Sequence, residues 1–347
     1  MPVAEQFAHL PEIERRRIQM PPHNMRLNRL ERPEAWPSNI RAKVLDAIAN
    51  TSWHLYPDYP AFYERLAQFL DVRPTELVVG AGIEEFIRSL MLLHSGKRVA
   101  MLWPTCAMFE LYARAFSVEL IKIKPNPHER LRIIDVVEAC REFAADLLLL
   151  VNPGQPVPTY FPRGDIFEIC ERLPDTWVAV DEAYHGFGAE SAIGGHAQFK
   201  NLTVLRTFSK AFGAAGIRLG YAVGARSTLD YLDAIRPSGE VGALSMATAR
   251  VLMDNWLEVE GWTSEVIGGR DWLRRQFQMS GLPAWGLHGN SVLVEYPDPA
   301  GICEQMAARG VLMRNVTGLD GGYFMVTCGS IELMQKFWSV YDGIPRT

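Results

Sequence analysis

Short apolar runs alternate with longer helical segments between residues 71 and 224, and this alternation constrains the fold more than any other feature. The runs are rich in Val, Leu and Ile, while the segments between them carry apolar residues at spacings of three and four. Because this pattern is typical of crossover units on a mostly parallel sheet, it predicts an α/β fold. The predicted strands span residues 77–80, 98–103, 118–123, 147–151, 177–180, 203–206 and 220–223.

The pattern changes after Pro237, where a long helical stretch over residues 243–279 precedes strands at 291–296 and 323–327 and two further helices. This arrangement is typical of an α+β domain. The first 50 residues contain no crossover unit of their own and are expected to join that second domain. We therefore predict a large domain over residues 51–237, and a small domain built from residues 1–50 together with 238–347.

The charge balance disfavours two classes of partner. The chain has 35 Lys and Arg against 40 Asp and Glu, a net charge of -5, so it offers no general attraction for nucleic acid or anionic lipid. No stretch approaches the roughly 18 apolar residues that a membrane-spanning helix needs, and residues 1–17 lack the apolar run of a secretory signal. We therefore expect a cytoplasmic protein without nucleic acid or membrane partners.

The five cysteines are scattered and form no C-x-x-C pair, and the eight histidines show no metal-ligand spacing. Neither a disulfide framework nor a zinc site is indicated. We expect most of the cysteines to lie in the core and expect no metal site.

Two loops that follow predicted strands carry candidate binding groups. In an open α/β sheet, ligands bind beyond the carboxyl ends of the strands. Gly80, Ala81 and Gly82 would let backbone N–H groups approach an anion at a helix N-terminus, although two glycines also suit an ordinary tight turn. Asp181 ends a buried strand, with Tyr184 three residues later. A buried carboxylate there needs a cation such as a protonated ring nitrogen, although an N-cap Asp is the alternative.

The most specific segment runs from Arg206 to Gly220. Thr207 and Ser209 precede Lys210, and Arg218 follows it after a loop of small residues. A lysine that is shielded from water loses part of its preference for protonation, which makes it a better amine for imine formation. The two hydroxyls and Arg218 suit a phosphate through charge-assisted hydrogen bonds.

These segments resemble those of the fold type I pyridoxal phosphate enzymes, specifically class I and II aminotransferases of the histidinol-phosphate aminotransferase type. The resemblance rests on the stretches R-T-F-S-K-x-x-G-x-A-G-x-R-x-G and D-E-A-Y, which occur in the family's order and separation. The resemblance spans nearly the whole chain. It implies a large domain with a mostly parallel, mixed seven-stranded sheet, a smaller α+β domain and pyridoxal 5'-phosphate as cofactor.

The resemblance also implies roles for individual residues. Lys210 forms the Schiff base with the cofactor, Asp181 pairs with its pyridinium nitrogen and Tyr184 bonds its phenolic oxygen. Its phosphate is held by Thr207, Ser209, Arg218 and the amides of Gly80, Ala81 and Gly82. Tyr56 resembles the family's tyrosine that reaches the phosphate of the neighbouring subunit, which implies a homodimer with shared active sites.

Two cofactor contacts depart from the family pattern. The family's aromatic residue that stacks on the cofactor ring follows Pro-Thr, whereas Cys106 follows Pro104 and Thr105 here. Gln155 stands where the family has the asparagine that bonds the phenolic oxygen. The resemblance therefore places Cys106 and Gln155 at the cofactor, with altered stacking and a longer amide.

The substrate side departs further. Met325 stands where the family has an arginine that clamps the substrate's carboxylate or phosphate, and a thioether cannot make that bidentate contact. Arg314 matches the family's second C-terminal arginine, while Arg29 and Arg32 enter the N-terminal segment near the substrate pocket. We hypothesise that Arg29 or Arg32 binds the substrate anion with Arg314. The alternative is that both are surface residues beside Pro33.

The favoured function is an aminotransferase that acts on a small amine or amino acid, with or without a phosphate group, by a ping-pong mechanism through the Lys210 Schiff base. The lost arginine keeps open a pyridoxal phosphate-dependent decarboxylase, lyase or cyclase of a specialised biosynthetic pathway. A catalytically silent binding protein is disfavoured because Lys210, Asp181, Tyr184 and Arg218 are all retained. A nicotinamide enzyme is disfavoured because no G-x-G-x-x-G follows the first strand.

Overall fold

The structure is a computed structural model that describes residues 25–237, 239 and 241–344. Residues 1–17, in which the sequence predicts no secretory signal, lie outside the described residues. The strands are β1 (Met25–Arg26), β2 (Leu77–Gly80), β3 (Arg98–Leu102), β4 (Glu119–Ile123), β5 (Leu147–Val151), β6 (Trp177–Asp181), β7 (Leu202–Thr207), β8 (Gly220–Gly224), β9 (Ala284–Trp285), β10 (Ser291–Glu295), β11 (Val311–Leu312), β12 (Arg314–Val316) and β13 (Tyr323–Thr327).

The described helices follow the predicted pattern with small shifts at their ends. They are α1 (Ser38–Ala49), α2 (Tyr59–Leu70), α3 (Ile83–Leu93), α4 (Ala107–Ala115), α5 (Ile133–Glu142), α6 (Arg163–Arg172), α7 (Arg226–Ile235), α8 (Ala243–Asp254), α9 (Trp256–Met279), α10 (Pro299–Ala308) and α11 (Ile331–Asp342). The stretch predicted as one helix over residues 243–279 is two helices, because the chain leaves helical geometry at Asn255 (φ -117°, ψ 38°). Among the described residues, no helix is both long and apolar enough to cross a membrane.

A seven-stranded sheet in the order β2-β8-β7-β6-β5-β3-β4 forms the centre of the molecule. Strand β8 runs antiparallel to its neighbours β2 and β7, and the other pairs are parallel. Strands β5 and β8 are buried along their whole length, as expected when helices cover both faces of a sheet. The predicted α/β fold with a mostly parallel, mixed seven-stranded sheet is confirmed.

Two smaller sheets involve the C-terminal third of the chain. Strands β12, β13, β10 and β9 form an antiparallel sheet in that order, and β1 pairs in parallel with β11. The backbone amide of Thr327 also donates to the carbonyl of Leu27 (2.8 Å). These bonds tie the first described residues to the C-terminal sheet, and the domain division stays a prediction.

Candidate active site

A cavity of about 470 Å³ lies beyond the carboxyl ends of β5, β6 and β7, where the segment before α1 and strand β12 close it from the other side. This is the position at which open α/β sheets bind ligands. Among the residues singled out in the sequence, those that line it are Arg29, Cys106, Gln155, Asp181, Tyr184, Thr207, Ser209, Lys210, Arg218 and Arg314.

Lys210 reaches this cavity from the loop that follows β7. Its Nζ donates to the backbone carbonyl of Arg29 (3.2 Å) and lies 5.7 Å from the centre of the Tyr184 ring. Burial is the main reason that the pKa of Lys210 falls to about 8. The cation of Arg218 adds to this lowering, while nearby carboxylates oppose it. A substantial fraction of the amine is therefore neutral, and nucleophilic, near pH 8.

Asp181 and Tyr184 lie deeper in the same cavity. The backbone amide of Ala183 donates to Asp181 Oδ1 (2.9 Å). Burial raises the pKa of Asp181 to about 6, and it also raises the pKa of Tyr184 above its usual value. A cationic partner would stabilise the ionised form of this buried carboxyl group, since a nearby positive charge lowers the pKa of a carboxyl group.

Thr207, Ser209 and Arg218 form a cluster of hydrogen-bond donors at one end of the cavity. Thr207 Oγ1 and Ser209 Oγ lie 2.9 Å apart, and Arg218 Nη1 is 3.4 Å from Ser209 Oγ. Gly82 has φ +85°, and a Cβ there would lie 2.9 Å from Arg218 Nη2, so a side chain at this position would displace the guanidinium. The cluster suits a compact anion such as phosphate.

The glycine amides that were predicted to bind the phosphate are not on the cavity wall. The amide of Gly82 donates to the carbonyl of Gly80 (2.7 Å), and Gly80, Ala81 and Gly82 do not line the cavity. The prediction that the Gly82 amide binds the anion therefore has no support in the hydrogen-bond pattern. Gly82 instead leaves room for Arg218.

Gln155 and Cys106 differ in their exposure to solvent. Gln155 is buried, and its Oε1 accepts from Ser291 Oγ (2.8 Å). Its Nε2 is buried and has no acceptor among the described residues. Because an unpaired buried donor is costly, Gln155 suits a ligand that presents an acceptor atom. Cys106 is exposed at the start of α4 and presents a small thiol to the cavity.

Met325 does not line the cavity, which corrects the expectation that this position borders the substrate. It lies on β13 between Arg314 of β12 and Leu293 of β10, is fully buried and packs in the hydrophobic core. Arg314, by contrast, lines the cavity, and its charge partly opposes the rise that burial causes in the pKa of Tyr184. The cavity thus has one arginine from this sheet, where the family pattern would provide two.

Arg32 does not line the cavity either, and this corrects half of the hypothesis about the two N-terminal arginines. Its guanidinium stacks over the ring of Trp262 (4.8 Å) and its Nε donates to the carbonyl of Glu34 (3.1 Å). Burial lowers the pKa of Arg32. Arg29 does line the cavity, so the anion-binding hypothesis rests on Arg29 and Arg314.

Tyr56 lies outside the cavity, in the loop before α2, with 93% of its surface exposed. Its predicted role requires a second copy of the chain and stays a prediction.

Glu31 was not singled out as a candidate site residue, yet it lines the cavity beside Arg29. Its negative charge opposes the lowering of the Lys210 pKa. A signal existed in the sequence, because Glu31 lies between Arg29 and Arg32 in the N-terminal segment expected near the substrate pocket, but nothing there indicated which side chains face inward.

Comparisons with known proteins agree with the fold and the motifs. A family model described as aminotransferase class I and II matches residues 25–337. The histidinol-phosphate aminotransferase of Caldanaerobacter subterraneus subsp. tengcongensis is 28% identical over 318 residues, which cover 90% of each chain.

Solved structures have a similar fold at lower sequence identity. The histidinol-phosphate aminotransferase of Sinorhizobium meliloti, in complex with pyridoxal-5'-phosphate, superposes with a TM-score of 0.83 at 20% identity, over 93% of this chain and 90% of that one. The L-threonine-O-3-phosphate decarboxylase of Porphyromonas gingivalis superposes with a TM-score of 0.76, also at 20% identity, over 92% of this chain and 98% of that one. At these identities the structures show a shared fold.

Proposed function

The chain belongs to the aminotransferase class I and II family, and from this premise we propose that it is a pyridoxal phosphate-dependent aminotransferase for a small amine or amino acid. The observation that carries the proposal is that Lys210, Asp181, Tyr184 and Arg218 all line one cavity beyond the strand ends. A reactive amine, a buried carboxylate, a phenol and an anion-binding guanidinium are the groups that this cofactor requires.

The residues present fit the cofactor. Gln155 Nε2 is a buried donor without an acceptor, which the cofactor's phenolic oxygen would satisfy together with Tyr184. Thr207, Ser209 and Arg218 would hold the phosphate. Asp181 would hold the protonated ring nitrogen, because the burial that raises its pKa to about 6 disfavours an unpaired charge.

The chain's own residues account for the proton movements. Pyridoxal phosphate, when bound, withdraws the electrons of a broken bond at the substrate's Cα. Lys210 would hold the cofactor through its amine and, once a substrate amine takes its place, Nζ is free to accept a proton from Cα. A lysine with a pKa of about 8 is suited to accept and return this proton near neutral pH.

A panel of amines tests the reaction. The purified holoenzyme is mixed with each amine in the absence of an acceptor, and the products are separated by chromatography. Transamination predicts pyridoxamine phosphate and the matching oxo compound in equal amounts, with a second oxo acid restoring the original cofactor, as a ping-pong mechanism requires. Failure of every amino donor to yield pyridoxamine phosphate would contradict the proposal.

Decarboxylation, elimination or cyclisation is the second candidate, and the burial of Met325 away from the cavity favours it. Without the second arginine of the family pattern, the substrate's carboxylate has one fewer cation to hold it. The same panel separates the two functions, because a decarboxylase releases CO₂ and an amine while its cofactor is unchanged.

We further propose a homodimer in which Tyr56 completes the active site of the other subunit. The exposure of this tyrosine, 93%, supports a role outside its own cavity. Hybrid dimers of Tyr56→Phe and Lys210→Ala chains test the proposal. Each parent dimer would be impaired, while a hybrid would contain one site with both native residues and regain activity. A monomer in sedimentation experiments would contradict it.

A further inference from the structure

One peptide group joins the C-terminal sheet to Lys210. It links Arg29 to Leu30, two residues that line the cavity, and it is trans. Its N–H donates to Thr327 Oγ1 of β13 (2.9 Å), and its carbonyl accepts from Lys210 Nζ (3.2 Å). Because a trans peptide is planar, its N–H and its carbonyl point in opposite directions and turn together. The hydroxyl that holds the N–H therefore also aims the carbonyl at the lysine.

Leu30 is held in a backbone conformation that is unfavourable for a leucine. Its φ of +57° lies in the left-handed region, where Cβ comes too close to the following carbonyl oxygen. Two buried hydrogen bonds offset this cost, namely the one to Thr327 and one from Asn290 Nδ2 to the Leu30 carbonyl (3.0 Å). Strain of this kind persists where the surroundings fix the backbone, and it is common at functional sites.

The rest of the segment has other anchors than the Thr327 hydroxyl. The side chains of Leu27 and Leu30 are buried in the core. The backbone amide of Thr327 donates to the Leu27 carbonyl (2.8 Å), and Asn290 holds the carbonyl of Leu30. Loss of the hydroxyl alone is therefore expected to free one peptide group and to leave the wall of the cavity in place.

We propose that Thr327 is a positioning residue for Lys210, which it orients through the peptide between Arg29 and Leu30. The inference rests on the proposed function, because a lysine that binds the cofactor and moves a proton needs a fixed orientation. When Lys210 is not bound to the cofactor, the Arg29 carbonyl gives its amine an acceptor inside the cavity. Thr327 acts on the amine without touching it, since its hydroxyl contacts the far side of the same peptide.

The groups around Lys210 determine the sign of the expected effect. Burial lowers its pKa, and the cation of Arg218 adds to this lowering. The groups that oppose it are Glu31, Cys106 and Asp181. A carbonyl that accepts from the ammonium favours the protonated form, so loss of this acceptor lowers the pKa further. A wall that merely loosened would admit water and raise the pKa, so the positioning role and a structural role predict opposite shifts.

Thr327→Val tests the proposal, because it removes the hydroxyl and keeps the shape of the side chain. Cofactor-free protein is labelled briefly with acetic anhydride between pH 6 and pH 11, and labelling of Lys210 is measured by peptide mass mapping. In the wild type, half-maximal labelling is expected near pH 8. In Thr327→Val this midpoint should fall by about one pH unit, the range for one hydrogen bond to a charged group. The exposed Lys200 is the internal reference and should not shift.

Three further variants separate positioning from packing. Thr327→Ser keeps the hydroxyl and should restore the wild-type midpoint, while Thr327→Ala lacks it and should give the same fall as Thr327→Val. Val326→Ala is the matched control, because this buried neighbour on β13 faces the other side of the sheet. It loses packing without a hydrogen bond to Leu30, so its midpoint should stay at the wild-type value.

Leu30→Asn provides a test from the other side of the same hydrogen bond. Asparagine branches like leucine but adopts the left-handed region more readily, so it should keep the peptide orientation at a lower cost. Added to Thr327→Val, it should recover at least half of the shift. The same fall with and without Leu30→Asn would contradict an action through this peptide.

An unchanged or higher midpoint in Thr327→Val would overturn the assignment, as would no recovery in Thr327→Ser or an equal fall in Val326→Ala. Failure of the proposed function gives a different result, because the labelling needs no cofactor. In that case the midpoint would still fall in Thr327→Val, while no amine would yield pyridoxamine phosphate with the wild-type enzyme.

Discussion

The cavity has two walls that differ in how closely they follow the family pattern. The wall formed by the ends of β6 and β7 carries Asp181, Thr207 and Lys210, the family's residue types in the family's order. The facing wall, formed by the segment after β1 and by β12, carries Arg29, Glu31 and Arg314, and the arginine expected at position 325 is a buried methionine. The first wall is suited to a constant cofactor, and we propose that the second selects the substrate.

The difference has a physical basis in the elements that carry the two walls. Residues at the ends of buried parallel strands are held by hydrogen bonds on both sides. The segment between β1 and α1 instead follows a two-residue strand and has no regular secondary structure of its own. It is held by the buried side chains of Leu27 and Leu30 and by hydrogen bonds such as that from Leu30 N to Thr327 Oγ1 (2.9 Å). We therefore expect substitutions of the side chains that face the cavity from this segment to change specificity more than stability.

The largest effect is expected on the cofactor wall, from Asp181→Asn. The amide keeps the size of the side chain but removes the charge that would pair with the ring nitrogen. Loss of one partner of a buried charge pair costs about 3–5 kcal/mol, so kcat should fall about 100- to 1000-fold or more. Steady-state kinetics with saturating cofactor measure this. A decrease in kcat of less than ten-fold would indicate that Asp181 does not pair with the ring nitrogen.

Arg314→Ala tests the substrate wall and should show a different kinetic signature. The affinity for cofactor should be unchanged, while KM for an anionic substrate rises about 10- to 100-fold, as expected for loss of a hydrogen bond to a charged group. Met325→Leu is the control, because a buried, volume-conserving change costs less than about 1.5 kcal/mol and touches no cavity surface. Equal effects of the two variants on KM would contradict the distinction between Arg314 and Met325.

The pH dependence of cofactor uptake probes Lys210 on the cofactor wall. The neutral amine is the reactive form, and its fraction increases as pH rises through the pKa of about 8. The rate of reconstitution of cofactor-free protein should therefore rise about ten-fold between pH 7 and pH 9 and then level off. An unperturbed lysine would instead give a rate that keeps rising beyond pH 10.

The smallest effect is expected for Arg32→Ala, which separates the two N-terminal arginines. Arg32 packs on Trp262 outside the cavity, so KM should change less than about two-fold, while stability falls by about 0.5–2 kcal/mol with the lost stacking. Chemical denaturation measures the stability. A large increase in KM with unchanged stability would instead indicate that Arg32 binds the substrate.

The sequence was sufficient for the sheet and for most of the cofactor wall. Strand β5 was predicted from its continuous apolar run with the correct bounds, because a strand buried on both faces needs such a run. Lys210 and Asp181 follow or end predicted strands, so their common location follows from the rule for ligand sites in open sheets.

The substrate wall could not be predicted because it depends on pairing between distant segments. Met325 is buried because β13 lies between β10 and β12, and the short strand β12 gives no periodic signal. Arg32 turns towards Trp262 of α9, more than 200 residues later in the chain. Glu31 was overlooked for the same reason, since its inward position depends on the hydrogen bonds that its neighbour Leu30 makes with Thr327 and Asn290.

Borohydride reduction of the cofactor-loaded protein, followed by peptide mass mapping, tests the central assignment most directly. We predict one pyridoxyl adduct, on the peptide that contains Lys210, and its loss in Lys210→Ala but not in a variant of the exposed Lys200. An adduct on a different lysine, or no adduct at any lysine after incubation with excess cofactor, would contradict the assignment of Lys210 as the cofactor-binding lysine.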